Sequence, residues 1–148
     1  MTQARGDWRL VFTLAAWGGL AFWLANFAIS LTPTAAEYRT ALSIAYVPML
    51  VQAMLGGLAV GLGVAYGLVH LDQKIPPKSP VLKSVLLSVI ALMAVTIFVE
   101  VPAKFLAPTT DSPIRFFLIA TAFNVVRIIA LGVVIGYLYR RPSSLPRR

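Results

Sequence analysis

Four long apolar runs are the feature that most constrains how this chain can fold. They cover residues 10–31, 41–71, 81–106 and 114–139. Each run reaches the about 20 helical residues that are needed to cross a hydrocarbon core of ~30 Å. The runs lack the period-two alternation of membrane β-strands, and a backbone in lipid has to satisfy its own hydrogen bonds. The sequence therefore predicts an all-α membrane protein, a bundle of four transmembrane helices arranged as two antiparallel hairpins.

The composition is that of one membrane domain, residues 1–148, which ends in a basic tail at 140–148. Of the 148 residues 59% are hydrophobic and only 12% are charged, whereas about 25% are charged in soluble domains. Arg5 and Arg9 precede the first run as they would in a secretory signal. Its apolar stretch is longer than that of a typical signal, however, and no clear small-residue cleavage site follows. We therefore expect the first run to remain as a helix.

The distribution of basic residues predicts the orientation of the bundle. Most of them flank the ends of the runs that share one side of the membrane: Arg5, Arg9, Lys74, Lys78, Lys83, Arg140, Arg141, Arg147 and Arg148. The two loops on the other side hold few charges: Arg39, Lys104, Arg115, Glu37 and Asp111. By the positive-inside rule both termini are cytoplasmic, in a plasma or inner membrane. We expect the basic ends to contact anionic lipid headgroups. Nucleic acid is not an expected partner, because no folded nucleic-acid-binding motif accompanies the basic tail.

Two segments raise the question of an internal duplication. "LTPTAAEYRTALSIA", which starts at Leu31, is similar to "LAPTTDSPIRFFLIATA", which starts at Leu106. Both of the helices that follow also carry a Leu-Gly pair, at 55–56 and 131–132. One interpretation is a pair of duplicated hairpins related by a pseudo-twofold axis along the membrane normal. The other is chance similarity, which low-complexity apolar sequence produces easily.

Arg127 lies in the middle of the fourth run, "FFLIATAFNVVRIIALGVVIGYLYRR". At 1.5 Å per residue its Cα is about 16 Å from either membrane boundary. The extended side chain leaves the guanidinium several ångströms short of water, and an unpaired charge at that depth is costly. Arg127 should therefore face protein or water. At 100° per residue Asn124 shares its side of the helix, while Gly132 and Gly136 point the other way.

Glu100 is the acidic residue that could neutralise Arg127 within the membrane. It lies about 8 Å closer to the outer surface, a separation that the two side chains can just span. Lys104 follows Glu100 by one helical turn and is an alternative partner at the outer interface. Pairing of Glu100 with Arg127, pairing with Lys104 and a shared triad all remain open.

Polar residues and glycines separate by depth along the runs. The same estimate places four polar residues in the outer half of the membrane: Asn26, Gln52, Thr96 and Asn124. Glycines four residues apart predict close helix packing near the midplane and in the inner half: Gly57 and Gly61, Gly63 and Gly67, Gly132 and Gly136. The pattern predicts a bundle that is tight toward the cytoplasm, with an outward-facing vestibule above Arg127. An ordinary hydrogen-bond network without a cavity is the alternative.

Several classes of chemistry lack the residues they need. There is no cysteine, and His70 is the single histidine, so thiolate sites and a bis-histidine haem within one chain are excluded. Paired carboxylates, a nucleophile elbow, a phosphate loop and a metal-ligand cluster are also absent from the sequence. We therefore expect no enzyme activity, no catalytic or metal-binding residues and no cofactor.

Three hypotheses for function follow. The first is an oligomeric scaffold or a subunit of a membrane complex, in which Arg127 and Glu100 pair inside the bundle and the glycine faces mediate assembly. The second is a minimal homo-oligomeric transporter or channel, with Arg127 binding a small anionic solute. The third is a lipid or quinone site, with the headgroup on Arg127 and the tails against the aromatic residues Phe116, Phe117 and Phe123.

Overall fold

The computed structural model describes residues 2–76, 78–106 and 112–140, with the side chains of residues 2–6 and of Lys104 excluded. The described part of the chain is helical and contains no β-strand. Its α-helices are α1 (Thr2–Ser30), α2 (Pro33–Ala41), α3 (Tyr46–Leu71), α4 (Pro80–Val95) and α5 (Pro113–Arg140). A 3-10 turn, Asp72–Lys74, follows α3, and two π turns, Thr96–Glu100 and Pro102–Leu106, continue α4. The predicted tail beyond Arg140 and Asp111 of the second outer loop lie outside the described residues.

Four helical segments are long and apolar enough to cross a membrane. They are Asp7–Ser30, Tyr46–Lys74, Pro80–Glu100 and Pro113–Arg140. Large apolar side chains cover their outer surfaces, with Phe98 77% exposed and Val47 67% exposed. Such a surface is stable in lipid and not in water. The prediction of a helical membrane protein with four spanning segments is confirmed.

The helix α2 lies in the first outer loop, where the sequence predicts no helix. Thr32 caps it, because its Oγ1 accepts a hydrogen bond from the N–H of Ala35 at 3.2 Å. Pro33 occupies the first helical position, where a backbone N–H would have no partner within the helix, so proline loses no hydrogen bond there. The hydrophobic periodicity here is too short to indicate a spanning helix, and the cap and the proline are the signals that predict it.

The helix α3 begins later than predicted, at Tyr46 instead of residue 41. Between α2 and α3 the chain turns sharply, and Ser43 has a positive φ of 53°. Pro48 consequently lies in the first turn of α3, where its N–H would have had no helical partner. Pro48 therefore does not interrupt α3, and the break in the chain comes before the helix starts.

The two hairpins are formed by α1 with α3 and by α4 with α5, and α1 also packs along α5. We call the half of the bundle next to α2 the upper half, and the half next to Asp72–Lys74 the lower half. The completely buried apolar side chains lie in the lower half, on α1, α3 and α5: Val11, Leu14, Leu68, Leu131 and Ile135. The apolar core of the protein is therefore in the lower half.

Glycines bring the helices of each hairpin into backbone contact. A Cβ added at Gly61 would lie 2.9 Å from the carbonyl oxygen of Ala15 on α1. A Cβ at Gly136 would lie 2.5 Å from the Cα of Val81 on α4. A Cβ at Gly57 would lie 3.1 Å from the carbonyl oxygen of Gly19, and one at Gly132 would lie 3.1 Å from the Cα of Val85. Each hairpin thus has a seam of small residues. Gly67 instead lies between the hairpins, where a Cβ would be 3.3 Å from the side chain of Leu87 on α4.

Gly63 departs from the prediction, because it is not a packing residue within the described chain. It is exposed, and no described atom beyond its own stretch of helix lies within 4 Å of a Cβ built there. Two residues correspond to 200° of helical rotation, so Gly63 points almost opposite to Gly61, which faces α1. Within the described chain Gly63 and Gly67 therefore do not form one contact surface, although they are four residues apart like the other two glycine pairs.

Candidate functional site

A cavity of about 460 Å³ lies between the helices in the upper half. Five of the predicted polar residues line it: Asn26, Gln52, Glu100, Asn124 and Arg127. All four spanning segments thus contribute to one site. Thr96 does not line the cavity; it is half-buried, and its carbonyl accepts the N–H of Val101 across a π turn. The side chain of Lys104 lies outside the described residues, and so does its pairing with Glu100.

Asn124 joins Arg127 to Glu100. Its Oδ1 accepts a hydrogen bond from Nη1 of Arg127 at 3.0 Å, and its Nδ2 donates to Oε1 of Glu100 at 3.4 Å. Within the described part of the chain no ion pair joins Arg127 and Glu100 directly. The two charges therefore interact through one buried amide, an arrangement that the sequence analysis did not weigh when it considered direct pairs.

Helix geometry explains why these three side chains meet. Side chains on a helix lean toward its N-terminus, and α5 runs from the upper to the lower half while α4 runs the other way. Arg127 therefore leans upward and Glu100 leans downward, which closes most of the separation in depth. The guanidinium carbon of Arg127 lies 5.9 Å from the ring centre of Phe123 and 6.0 Å from that of Phe22. These aromatic contacts hold the guanidinium on the apolar wall of the cavity.

Two buried N–H groups in the cavity wall have no acceptor among the described residues. They are Nδ2 of Asn26 and Nε of Arg127. Asn26 is only 2% exposed, so the protein shields this group almost completely. Buried donors are nearly always hydrogen-bonded in native structures, and each exception needs an explanation. Both donors belong to residues that line the cavity.

The π turns that continue α4 place Glu100 in a widened part of the helix. Pro102 has no N–H to donate and its ring would clash with the carbonyl four residues before it, so a regular α-helix cannot continue here. The N–H of Val101 bonds to the carbonyl of Thr96, five residues back. Such π turns are frequent at functional sites. Pro102 in the sequence indicates that the helix is irregular here, but it does not predict which side of the helix carries Glu100.

The helix α2 covers the upper end of the cavity. Ala35, Tyr38 and Arg39 line the cavity from this side. The ring of Tyr38 packs edge-on against Phe116 and Phe123 of α5, with centres 5.8 and 6.0 Å apart. Nη1 of Arg39 donates to the carbonyl of Ser30 at 2.9 Å. These residues were missed because the sequence analysis treated their segment as a loop.

The cavity also opens sideways, between α3 and the continuation of α4. Four lining residues are exposed at this edge: Gln52, Gly56, Val99 and Ala103. We call these four residues the side window. Lower down α3 and α4 pack together, where a Cβ on Gly67 would be 3.3 Å from Leu87. Since this surface is covered by lipid in a membrane protein, the window connects the cavity with the bilayer.

Among the described residues that line the cavity, basic side chains outnumber acidic ones by one. Two guanidinium groups, those of Arg39 and Arg127, and one carboxylate, that of Glu100, line it. Apolar side chains provide much of the remaining wall, including Phe22, Ile29 and Val95. A pocket with apolar walls and a few convergent polar groups is typical of small-molecule sites.

Comparisons with known proteins assign no family to this chain. No protein-family model, no curated protein and no solved structure matches it. Function is therefore inferred from the cavity itself.

Proposed function

We propose that this integral membrane protein binds a small ligand with oxygen acceptors in the cavity of the upper half. The observation that carries the proposal is the pair of buried donors without acceptors, Asn26 Nδ2 and Arg127 Nε. An unmade hydrogen bond of this kind costs about 1–3 kcal/mol, and more on a charged group. A carboxylate, phosphate or carbonyl oxygen of a ligand would satisfy both donors. Of the three hypotheses this favours the lipid or quinone site.

The orientation predicted from the basic residues places this cavity toward the outside. The lower half holds the basic loop around Lys74 and Lys78, which the positive-inside rule assigns to the cytoplasm. The ligand would then come from the outer solution or from the outer leaflet. Contact of the basic ends with anionic headgroups would take place at the opposite surface.

A scaffold function is the second candidate, and one observation favours it. Asn124 already links Arg127 and Glu100, so part of the polar cluster is satisfied without a ligand. The glycine faces that this hypothesis assigned to oligomerisation are largely used inside the chain, however. Gly57, Gly61 and Gly132 have close neighbours on other helices of the same molecule. Assembly with copies or partner proteins would have to use other surfaces.

Transport is less well supported than binding. Below Arg127 both seams bring helix backbones together, at Gly61 against Ala15 and at Gly136 against Val81. A solute could pass this region only if the seams opened. A pseudo-twofold relation between the hairpins, which would suit a transporter, stays a prediction.

A melting-temperature assay with defined probes tests the proposed site. The purified protein in detergent would be heated with oleate, hexanoate or inorganic phosphate, and Arg127→Gln and Asn26→Leu would be compared with the wild type. We expect at least one probe to stabilise the wild type and neither variant. Asn26→Leu should also raise the melting temperature without probe, because it removes an unpaired donor from the wall.

Thr121→Val is the matched control. Its Oγ1 is also buried without a partner among the described residues, but Thr121 does not line the cavity. The variant should keep the probe-induced shift. Equal shifts in the wild type and Arg127→Gln would refute the site. If Arg127→Gln unfolds and Glu100→Gln restores folding, the polar cluster is a structural pair and the scaffold function is favoured.

A further inference from the structure

The cavity is continuous with an apolar groove on the outer face of α3. The groove is lined by Val47, Pro48, Val51, Gln52, Leu55 and Gly56. Gln52 and Gly56 line the cavity as well, so the two spaces meet at the side window. Apart from the amide of Gln52 and the backbone, the groove is apolar. It has the chemistry of a site for a hydrocarbon chain and not for a polar head.

Gly56 is the residue that keeps this passage open. No described atom beyond its own stretch of helix lies within 4 Å of a Cβ built at this position. Gly56 therefore does not serve helix packing, unlike Gly57 beside it, whose Cβ would be 2.9 Å from the ring of Phe22. A glycine in a helix interior costs about 1 kcal/mol relative to alanine. Gly56 borders both the cavity and the groove, and a larger side chain here would fill the space between them.

The charge of the cavity indicates the head of the ligand. Among the described residues that line the cavity, two guanidinium groups, of Arg39 and Arg127, outnumber the one carboxyl group, of Glu100. A head with one negative charge would balance the extra guanidinium, and its oxygens could accept from Arg127 Nε and Asn26 Nδ2. A neutral head would leave that charge uncompensated in a site walled by apolar side chains.

We propose that the ligand is a single-chain amphiphile with a monoanionic oxygen head, such as a long-chain carboxylate. Arg127 and Asn26 hold the head, and the hydrocarbon chain leaves over Gly56 and lies in the groove along Val51 and Leu55. The ligand enters from the lipid through the side window. The inference rests on the proposed function of the cavity and adds the class of ligand and its route.

Equilibrium binding of radiolabelled palmitate to the purified protein in a non-ionic detergent tests the inference. Competition with unlabelled fatty acids of increasing length should show tighter binding, by up to about fourfold per methylene that enters the groove when affinities refer to the fatty acid free in water. Methyl palmitate, which has no charge, should compete at least tenfold less well than palmitate. Decyl-benzoquinone tests a neutral head on a single chain and should also compete poorly.

Gly56→Leu should block the passage, with Gly63→Leu as its matched control. Both glycines are exposed on α3 with no close neighbour among the described residues, but only Gly56 borders the groove. We expect Gly56→Leu to weaken palmitate binding at least tenfold and hexanoate binding less than twofold. Gly63→Leu should change neither. Melting temperatures at or above that of the wild type would show that both variants fold.

The results separate this inference from the proposed function. If Gly56→Leu binds palmitate as tightly as Gly63→Leu does, the chain does not cross Gly56 and the inference is overturned. The proposed function stands in that case provided that Arg127→Gln still abolishes binding. Tighter binding of decyl-benzoquinone than of palmitate overturns the anionic head. Palmitate binding that survives Arg127→Gln overturns both the inference and the proposed function.

Discussion

The upper and lower halves of the bundle are built from the same four spanning segments but are packed differently. In the lower half, Gly61, Gly132 and Gly136 let helix backbones approach until a Cβ would collide. In the upper half, larger side chains such as Phe22 and Phe123 meet around a cavity of about 460 Å³. Without a hydrophobic driving force between helices in lipid, small residues that permit close contact stabilise the bundle. The lower half therefore holds the helices together, while the upper half encloses the cavity.

Apart from the 3-10 turn Asp72–Lys74 at the lower end, irregular helix geometry is found in the upper half. The lower parts of α4 and α5 are regular helix, while α4 continues upward through two π turns and α2 crosses the upper end of the bundle. Irregular backbone within a membrane is tolerated where it lines a cavity or is covered by protein. The difference predicts that the lower half is sensitive to added volume and the upper half to changes in polarity.

The largest effect is expected from Gly136→Leu in the lower half. A Cβ here would lie 2.5 Å from the Cα of Val81 and 2.9 Å from the carbonyl oxygen of Pro80, and neither backbone atom can move aside alone. Overpacking costs about 1–3 kcal/mol even where side chains can adjust. The free energy of unfolding, measured by denaturation with SDS in mixed micelles, should fall by at least about 3 kcal/mol.

Gly63→Leu provides the comparison for this measurement. Gly63 is exposed and has no close neighbour among the described residues, so Gly63→Leu should not lower the free energy of unfolding and should raise it by up to about 1 kcal/mol, because leucine is the better helix former. Similar losses for the two variants would show that any leucine on a glycine of the bundle is harmful. The claim that Gly136 is sensitive because it is packed against another helix would then be wrong.

Much of this lower half could be predicted from the sequence, because its determinants are local. The four apolar runs and the glycine spacings are read directly from residue type, and both follow from the properties of lipid. The wrong assignment of Gly63 shows the limit of the spacing rule. Two glycines four residues apart share a face of the helix, but the sequence does not say whether another helix covers that face.

Asn124→Leu in the upper half should have the next largest effect. It preserves volume but removes the acceptor of Arg127 and the donor to Glu100. Hydrogen bonds to charged groups contribute about 1.5–3 kcal/mol, so the free energy of unfolding should fall by about 2 kcal/mol. In a double-mutant cycle with Arg127→Gln and Glu100→Gln, the same substitution should cost much less, since the charges it leaves unpaired are gone. A strictly additive cycle would contradict the role of Asn124 as a link.

This link illustrates why the site was only partly predictable. The sequence placed Asn26, Gln52, Glu100 and Asn124 in the outer half of the membrane, above Arg127, and the structure brings these five residues around one cavity. Depth follows from counting residues along a straight helix. Which groups bond to each other depends on helix rotation, on the π turns around Glu100 and on the lean of each side chain. None of these can be read from spacing alone.

Lys83→Met should have a smaller effect, at the bottom of the lower half. Nζ of Lys83 lies 2.9 Å from Oδ1 of Asp72 and also donates to the Asp72 carbonyl, which ties the end of α3 to α4. Met keeps most of the buried stem, and Asp72 is exposed enough to be hydrated instead. We expect a loss of about 1 kcal/mol in the same SDS assay. Lys74→Met removes an exposed lysine nearby and should change the free energy of unfolding by less than about 0.5 kcal/mol. If Lys74→Met lost as much as Lys83→Met, the loss would come from removing a positive charge and not from the bond between Lys83 and Asp72.

Glu37→Gln should have the smallest effect, at the top of the upper half. Oε1 of Glu37 lies 2.7 Å from Nη2 of Arg115, a contact between α2 and α5, but both side chains are about half exposed. Exposed ion pairs contribute about 0–1 kcal/mol and are screened by salt. The free energy of unfolding should fall by less than about 0.5 kcal/mol at low salt, and the difference should vanish in 1 M NaCl. A loss as large as that of Asn124→Leu, persisting in high salt, would show that α2 is a structural anchor of the cavity. The upper half would then depend on its cover as strongly as the lower half depends on its glycines.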